Sequence, residues 1–191
     1  AVCKKYGLYL FLDGARLGYW LASEGCDVTL ADLARLTDAF YIGGTKCGAL
    51  FGEALVLGNP ALQDHFRTCM KQRGDVLAKG WLMGLQFYTL FQNGLYFDLA
   101  RRADRQAMEI KAAFQKAGIP LWVDSPTNQQ FAVVSRAQEA ALAQNFIFEL
   151  NHAVDAQHNC IRFCTSWSTR DEEVAALIAA IESLPGCEEA K

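Results

Sequence analysis

Leu8-Tyr9-Leu10-Phe11-Leu12 is an unbroken apolar run closed by Asp13-Gly14. A run of that length between turn residues predicts a strand buried on both faces, the habit of a parallel sheet covered by helices. Ala39 to Ile42, closed by Gly43-Gly44, predicts a second short buried strand. Ala49 to Leu57, ended by Gly58-Asn59-Pro60, predicts a third. Between the first two, Thr29 and Asp32 form a capping-box-like pair ahead of Leu30, Leu33 and Leu36, so a helix is expected there. Strand, helix and strand in this rhythm point to an α/β fold.

From Pro60 to Gly118 the pattern turns helical. Leu99, Ala103, Ala107, Ile110 and Phe114 share one helical face, Gly118 and Pro120 stop it, and Arg101, Arg102, Arg105, Glu109 and Lys116 make a solvated face. Trp81, Phe87, Tyr88, Phe91, Tyr96 and Phe97 either form a partner surface or fill the joint between two lobes. Beyond about residue 119, Leu121 to Val123, Gln130 to Val134 and Cys160 to Thr165 are short strand candidates separated by helical segments. A last helix is expected from Thr169, capped with Glu172, carrying Val174, Leu177, Ile178 and Ile181 until Pro185-Gly186. The chain thus divides into residues 1–118 and a small α/β lobe of residues 119–191.

Composition narrows the function classes. The 191 residues are 52% apolar and 20% charged, which supplies a core and excludes a disordered chain. Eighteen basic against 21 acidic residues give a net charge of -3, without the positive excess that nucleic-acid binding needs. The apolar stretch from Gly80 is broken at Gln86, too soon to span a membrane. Seven cysteines at irregular spacings, with no Cys-x-x-Cys, argue for reduced thiols and a cytoplasmic protein. The three histidines do not cluster with them, so no metal site is expected. The chain opens at Ala1 and runs almost at once into its first strand, so a preceding segment is expected.

Three places could carry chemistry. Asp13, in Asp13-Gly14-Ala15-Arg16, ends a strand where α/β sheets place their ligands; the alternative is an ordinary helix N-cap. Lys46, in Tyr41-Ile42-Gly43-Gly44-Thr45-Lys46-Cys47-Gly48, lies between glycines just past a strand. A lysine there serves as a phosphate partner or a Schiff-base amine, or is merely a loop residue at the surface. Arg162 shares a strand face with Cys160 and Cys164, opposite Ile161 and Phe163. It suits bidentate binding of a carboxylate, or an internal salt bridge.

Asp-Gly-Ala-Arg-Leu after an apolar strand, followed 33 residues later by the lysine of Gly-Gly-Thr-Lys, resembles the pyridoxal-phosphate enzymes of fold type I. Within that fold the chain is most similar to the threonine aldolase and β-eliminating lyase family. Weaker likeness continues through Ser125 to Phe131 and Ile161 to Trp167, and it covers only the later half of such an enzyme. The resemblance implies part of a large domain with a mostly parallel sheet in residues 1–118, plus a small C-terminal lobe. It implies pyridoxal 5'-phosphate as cofactor, Lys46 as the Schiff-base lysine and Asp13 as partner of the ring nitrogen. Arg16 would lie near the ring and the substrate carboxylate, Thr45 near the phosphate, and Arg162 on the substrate carboxylate. Arg73 and Lys79 would reach a phosphate across a dimer interface, or simply be solvated.

The implied reaction cleaves a β-hydroxy-α-amino acid such as threonine to glycine and an aldehyde, in a homodimer or dimer of dimers. An aminotransferase, another β-eliminating lyase, or a non-catalytic dimerisation or ligand-sensing domain remain open. Gly43 stands where many relatives of the fold place a serine, and the phosphate cup and ring-stacking residue of the family are expected upstream of Asp13.

Overall fold

The computed structural model describes residues 1–186 and divides the chain into two compact units. One comprises residues 1–21 and 25–98; the other comprises residues 22–24 and the chain from Leu99 onward.

In the first unit a short helix α1 (Val2–Lys5) precedes strand β1 (Phe11–Leu12) and helix α2 (Leu17–Ala22). Helix α3 (Leu30–Leu36) leads to β2 (Ala39–Gly43), a 3₁₀ turn (Thr45–Cys47) and β3 (Glu53–Leu57). Helices α4 (Phe66–Gln72) and α5 (Trp81–Phe91) follow. The sheet order is β1-β2-β3, with β1 parallel and β3 antiparallel to the central strand. The capping box of α3 is formed: Thr29 accepts the Asp32 N–H, and the Asp32 carboxylate accepts the Thr29 N–H. In β2 Ala39, Phe40, Ile42 and Gly43 are all buried, as a central strand requires.

Two expectations about this sheet need correction. Only Phe11 and Leu12 of the first apolar run pair in the sheet, and Leu8 and Phe11 are 62% and 57% exposed. β1 pairs with β2 alone, and nothing among the described residues covers the faces that Leu8 and Phe11 present. The third strand starts at Glu53 rather than Ala49, because Gly48 and Gly52 take φ of 107° and 85° and turn the chain between them.

The division between units falls near the start of the long helix α6 (Leu95–Lys116). In the second unit its buried face carries Ala103, Ala107, Ile110 and Phe114, and also Asp104 and Gln106, which the apolar pattern does not reveal. Strands β4 (Gln129–Ser135), β5 (Glu149–Ala153) and β6 (His158–Cys164) form an antiparallel sheet of order β4-β6-β5. Helices α7 (Arg136–Leu142) and α8 (Asp171–Glu182) complete the unit. Phe114, Val134, Ile161, Phe163, Val174, Leu177 and Ile181 make its core.

Here too the structure corrects details. Leu121 to Val123 contributes an isolated bridge from Leu121 to Ala132, not a strand. β5 appears where no strand was expected: as a mostly exposed edge it lacks apolar alternation. Helix α8 starts later than expected because the Thr169 hydroxyl accepts the Ser166 N–H; Arg170 and Glu173 cap the helix instead. Six cysteines are free thiols, and Cys187 lies outside the described residues. Among the described residues no helix is long and apolar enough to cross a membrane.

Candidate active site

In the first unit, β1 and β2 lie side by side and in parallel, so the loops that follow them emerge together. The Gly43 N–H donates to the Gly14 carbonyl at 2.9 Å. A Cβ on Gly14 would lie 1.6 Å from the Tyr41 oxygen, and one on Gly43 would lie 2.5 Å from the Ala15 oxygen. Both positions therefore need glycine, and any side chain at the second, serine included, would collide with backbone here. With no side chains between them, the loop bearing Asp13 and Arg16 closes onto the loop bearing Thr45 and Lys46.

Asp13 Oδ1 accepts hydrogen bonds from the Tyr41 hydroxyl and, at 3.1 Å, from the Ala15 N–H. The second bond is an Asx-type turn, and α2 begins only at Leu17, so Asp13 is not its N-cap. The Tyr41 bond foremost, then the Ala15 N–H, hold the carboxyl below the usual range; slight desolvation opposes them, and the Lys46 charge adds to the lowering. The same contact pushes the Tyr41 hydroxyl up to about 12. Asp13 is thus a fixed, ionised carboxylate beside an exposed lysine.

The Lys46 loop is fastened from beneath. The buried Tyr19 hydroxyl donates to the Lys46 carbonyl, and the buried Tyr96 hydroxyl donates to the Gly43 carbonyl at 2.9 Å. Tyr96 stacks on Phe91 and meets Phe97 edge-on. Burial above all raises its hydroxyl pKa, so it stays a donor. The Glu53 carboxylate accepts the Gly44 N–H at 2.7 Å. Cys47 is wholly buried, whereas Thr45 and Lys46 point their side chains outward.

A sequence profile of the β-eliminating lyase family matches residues 1–137. The chain belongs to that family. A low-specificity L-threonine aldolase from Pseudomonas aeruginosa is 30% identical over 190 residues, covering 97% of this chain and 53% of the aldolase. The corresponding aldolase of a Pseudomonas species is 28% identical over 186 residues, 96% of this chain and 53% of its own. Among solved structures, Leishmania major threonine aldolase superposes with a TM-score of 0.90 at 43% identity, over 94% of this chain and 53% of that one. A serine palmitoyltransferase from Sphingomonas wittichii shares the fold, with a TM-score of 0.66 at 15% identity, over 95% of this chain and 48% of its own. The chain spans about half the length of the curated relatives it matches.

In this β-eliminating lyase chain the structure brings Asp13, Arg16, Thr45 and Lys46 together at one end of the first sheet. Arg162 lies on β6 of the second unit, its guanidinium donating to Glu149, so the internal salt bridge is formed. Arg73 and Lys79 are exposed. Tyr19, Tyr41 and Tyr96 hold the candidate site in place, and the sequence pattern did not single them out. Tyr41 carried a signal: in β2 it alternates with Phe40 and Ile42 and so faces away from them. Tyr19 and Tyr96 read as ordinary core aromatics, and their acceptors are backbone atoms that sequence does not display. Of the six aromatics of the helical segment, Tyr96 is fully buried and Phe87, Phe91 and Phe97 half-buried, while Trp81 and Tyr88 stay open.

Proposed function

We propose that the full protein is a pyridoxal-phosphate-dependent lyase of the threonine aldolase type, cleaving β-hydroxy-α-amino acids to glycine and an aldehyde. The observation that carries this reading is Lys46 on a glycine-flanked turn beside the ionised carboxylate of Asp13. That donor set fits the cofactor: an amine to hold its aldehyde, and an anion to pair with a protonated ring nitrogen. When bound, pyridoxal phosphate takes up the electron pair released as the Cα–Cβ bond breaks.

The remaining chemistry belongs to the chain. Lys46 Nζ holds the cofactor until the substrate amine displaces it, and then serves as a proton carrier at that amine. Asp13 Oδ2, which accepts no hydrogen bond from the described residues, is available to the ring nitrogen; an ion pair there keeps that nitrogen protonated. Arg16 lies near the ring and the substrate carboxylate, and Thr45 serves the phosphate. Arg162 holds the substrate carboxylate and so orients the bond to be cleaved. On this reading residues 1–118 belong to the cofactor-holding domain and residues 119–191 to the small domain.

Assembly and location follow the same reading. Trp81, Leu85 and Tyr88 recur on one face of α5 with exposures of 65%, 49% and 65%, an apolar stripe suited to a second copy of the chain. This supports a homodimer or dimer of dimers, with Arg73 and Lys79 toward a partner's phosphate. Free thiols at the six described cysteines support the cytoplasm.

Borohydride reduction of the full-length protein with pyridoxal phosphate, followed by peptide mapping, tests the site. Label at Lys46 supports it; label scattered over other lysines overturns it. Glycine and acetaldehyde from L-threonine, with no transfer to a keto acid, supports the lyase over an aminotransferase.

A further inference from the structure

Arg162 sits on the middle strand of the second sheet, opposite Phe131 on β4 and opposite Glu149 on β5. Ile161 and Phe163 enter the core on either side of it, so Arg162 projects from the other face of the strand. The strand register and the side chains agree: Nη2 of Arg162 donates to the Glu149 carboxylate. Nε of Arg162 is buried and has no hydrogen-bond partner among the described residues. The Arg162 side chain is 21% exposed, whereas that of Glu149 is 70% exposed.

A guanidinium binds a carboxylate bidentately along its Nε–Nη2 side or across its Nη1–Nη2 end. The first is closed to solvent by the burial of Nε. The second is the accessible fork, and Glu149 holds one of its two nitrogens. A substrate carboxylate that takes both must therefore move Glu149 off.

We propose that Glu149 is an internal stand-in for the substrate carboxylate and sets substrate affinity by competing with it for Arg162. This rests on the reading of Arg162 given above. The exchange trades one carboxylate for another, so the half-buried guanidinium is never left without a counter-charge. The displaced Glu149 is already mostly in water and needs little rearrangement. Affinity is then the difference between two similar ion pairs rather than the whole of one. A ligand whose carboxyl is amidated lacks the charge to drive the exchange.

Steady-state kinetics of the full-length enzyme with L-threonine test this in Glu149→Gln, Glu149→Ala, Arg162→Ala and the Glu149→Gln/Arg162→Ala double variant. Removing the competitor is expected to lower KM about two- to fivefold, the range of a partly exposed ion pair, with kcat unchanged. Both Glu149 variants should show it, and the effect should vanish in the Arg162→Ala background, where KM is raised. A KM that stays the same or rises in the Glu149 variants, while Arg162→Ala raises it, overturns the proposal and makes Glu149 a support for the arginine. If Arg162→Ala leaves KM unchanged, the carboxylate-binding reading of Arg162 falls, and the competitor role falls with it.

Discussion

Replacing Asp104 by asparagine is expected to stabilise the second unit above neutral pH. Asp104 is 5% exposed on the core face of α6, and neither carboxylate oxygen has a hydrogen-bond partner among the described residues. Burial pushes its pKa from 3.8 up to about 7; the Asn128 N–H points toward it and moderates the rise without reaching hydrogen-bond geometry. The folded state therefore binds this proton more tightly than the unfolded chain. Its contribution to stability is fully present below the unfolded pKa near 4 and is lost as pH rises toward 7. A shift of that size has a ceiling of ~4 kcal/mol at 1.36 kcal/mol per pH unit. With the higher effective dielectric that real interiors show, about 2 kcal/mol is the working figure. Asparagine has nearly the same shape, carries no charge at any pH, and removes that slope.

The carboxyls with lowered pKa values, Asp13, Asp32, Asp38, Asp155, Asp171 and Glu173, lose their contributions only as pH falls through the acid range. Between pH 5 and 8 these carboxyls thus add no slope of their own, and the comparison with Asp104→Asn cancels whatever the histidines contribute to both proteins. Amide exchange resolved to peptides of α6 and β4, comparing parent and Asp104→Asn at matched pH, reads the effect where it arises. The variant should be better protected at pH 8 by roughly the factor that 2 kcal/mol implies, about thirtyfold, and nearly equal to the parent at pH 4. Equal protection at pH 8, or a parent that gains protection from pH 5 to 8, would refute the assignment of a neutral buried carboxyl.

Gly43→Ala should lower the unfolding temperature and abolish cofactor binding, since its Cβ would meet backbone oxygens at 2.5 and 2.6 Å; a scan with and without pyridoxal phosphate checks both. Tyr96→Phe leaves the buried Gly43 carbonyl without its donor and should cost about 1–3 kcal/mol, read from urea midpoints, together with a changed pH profile of the cofactor's visible absorbance. Phe114→Ala should open a cavity in the second unit's core and destabilise it by about 3–5 kcal/mol in the same assay.

What could be read from the chain follows from where the information lies. The capping box of α3, the central strand β2 and the buried face of α6 were legible because each is written in local spacing: Thr29 with Asp32, Ala39 to Gly43, Ala103 with Ala107 and Ile110. The loop positions of Asp13 and Lys46 were legible because each lies just past a strand, and adjacent parallel strands bring such loops together. The exposure of Leu8 and Phe11 was not, because an apolar run reads the same whether or not other elements pack over its faces. β5 was hidden for the opposite reason: its pairing is made by backbone, with side chains such as Glu149 and Asn151 in solvent. Asp104 was hidden because a charged residue at helical spacing reads as surface until the packing partner is known.

The candidate site combines open chemistry with closed support. Asp13, Thr45 and Lys46 are exposed, as the proposed contacts with a cofactor and a substrate require. Their backbones are fixed by groups withdrawn from water: Gly14 against Gly43, Tyr19 on the Lys46 carbonyl, Tyr96 on the Gly43 carbonyl, and Cys47 wholly enclosed. A lysine side chain has four rotatable bonds, so a fixed backbone does not immobilise its amine; it fixes the small volume that the amine can search. That suits the role proposed for Lys46: to hold a cofactor, let it go when the substrate amine arrives, and remain within reach to carry a proton. Rigid placement of the Lys46 nitrogen would serve the first task and hinder the second. The division of labour between buried tyrosines and an exposed lysine is therefore what the proposed chemistry requires of this loop.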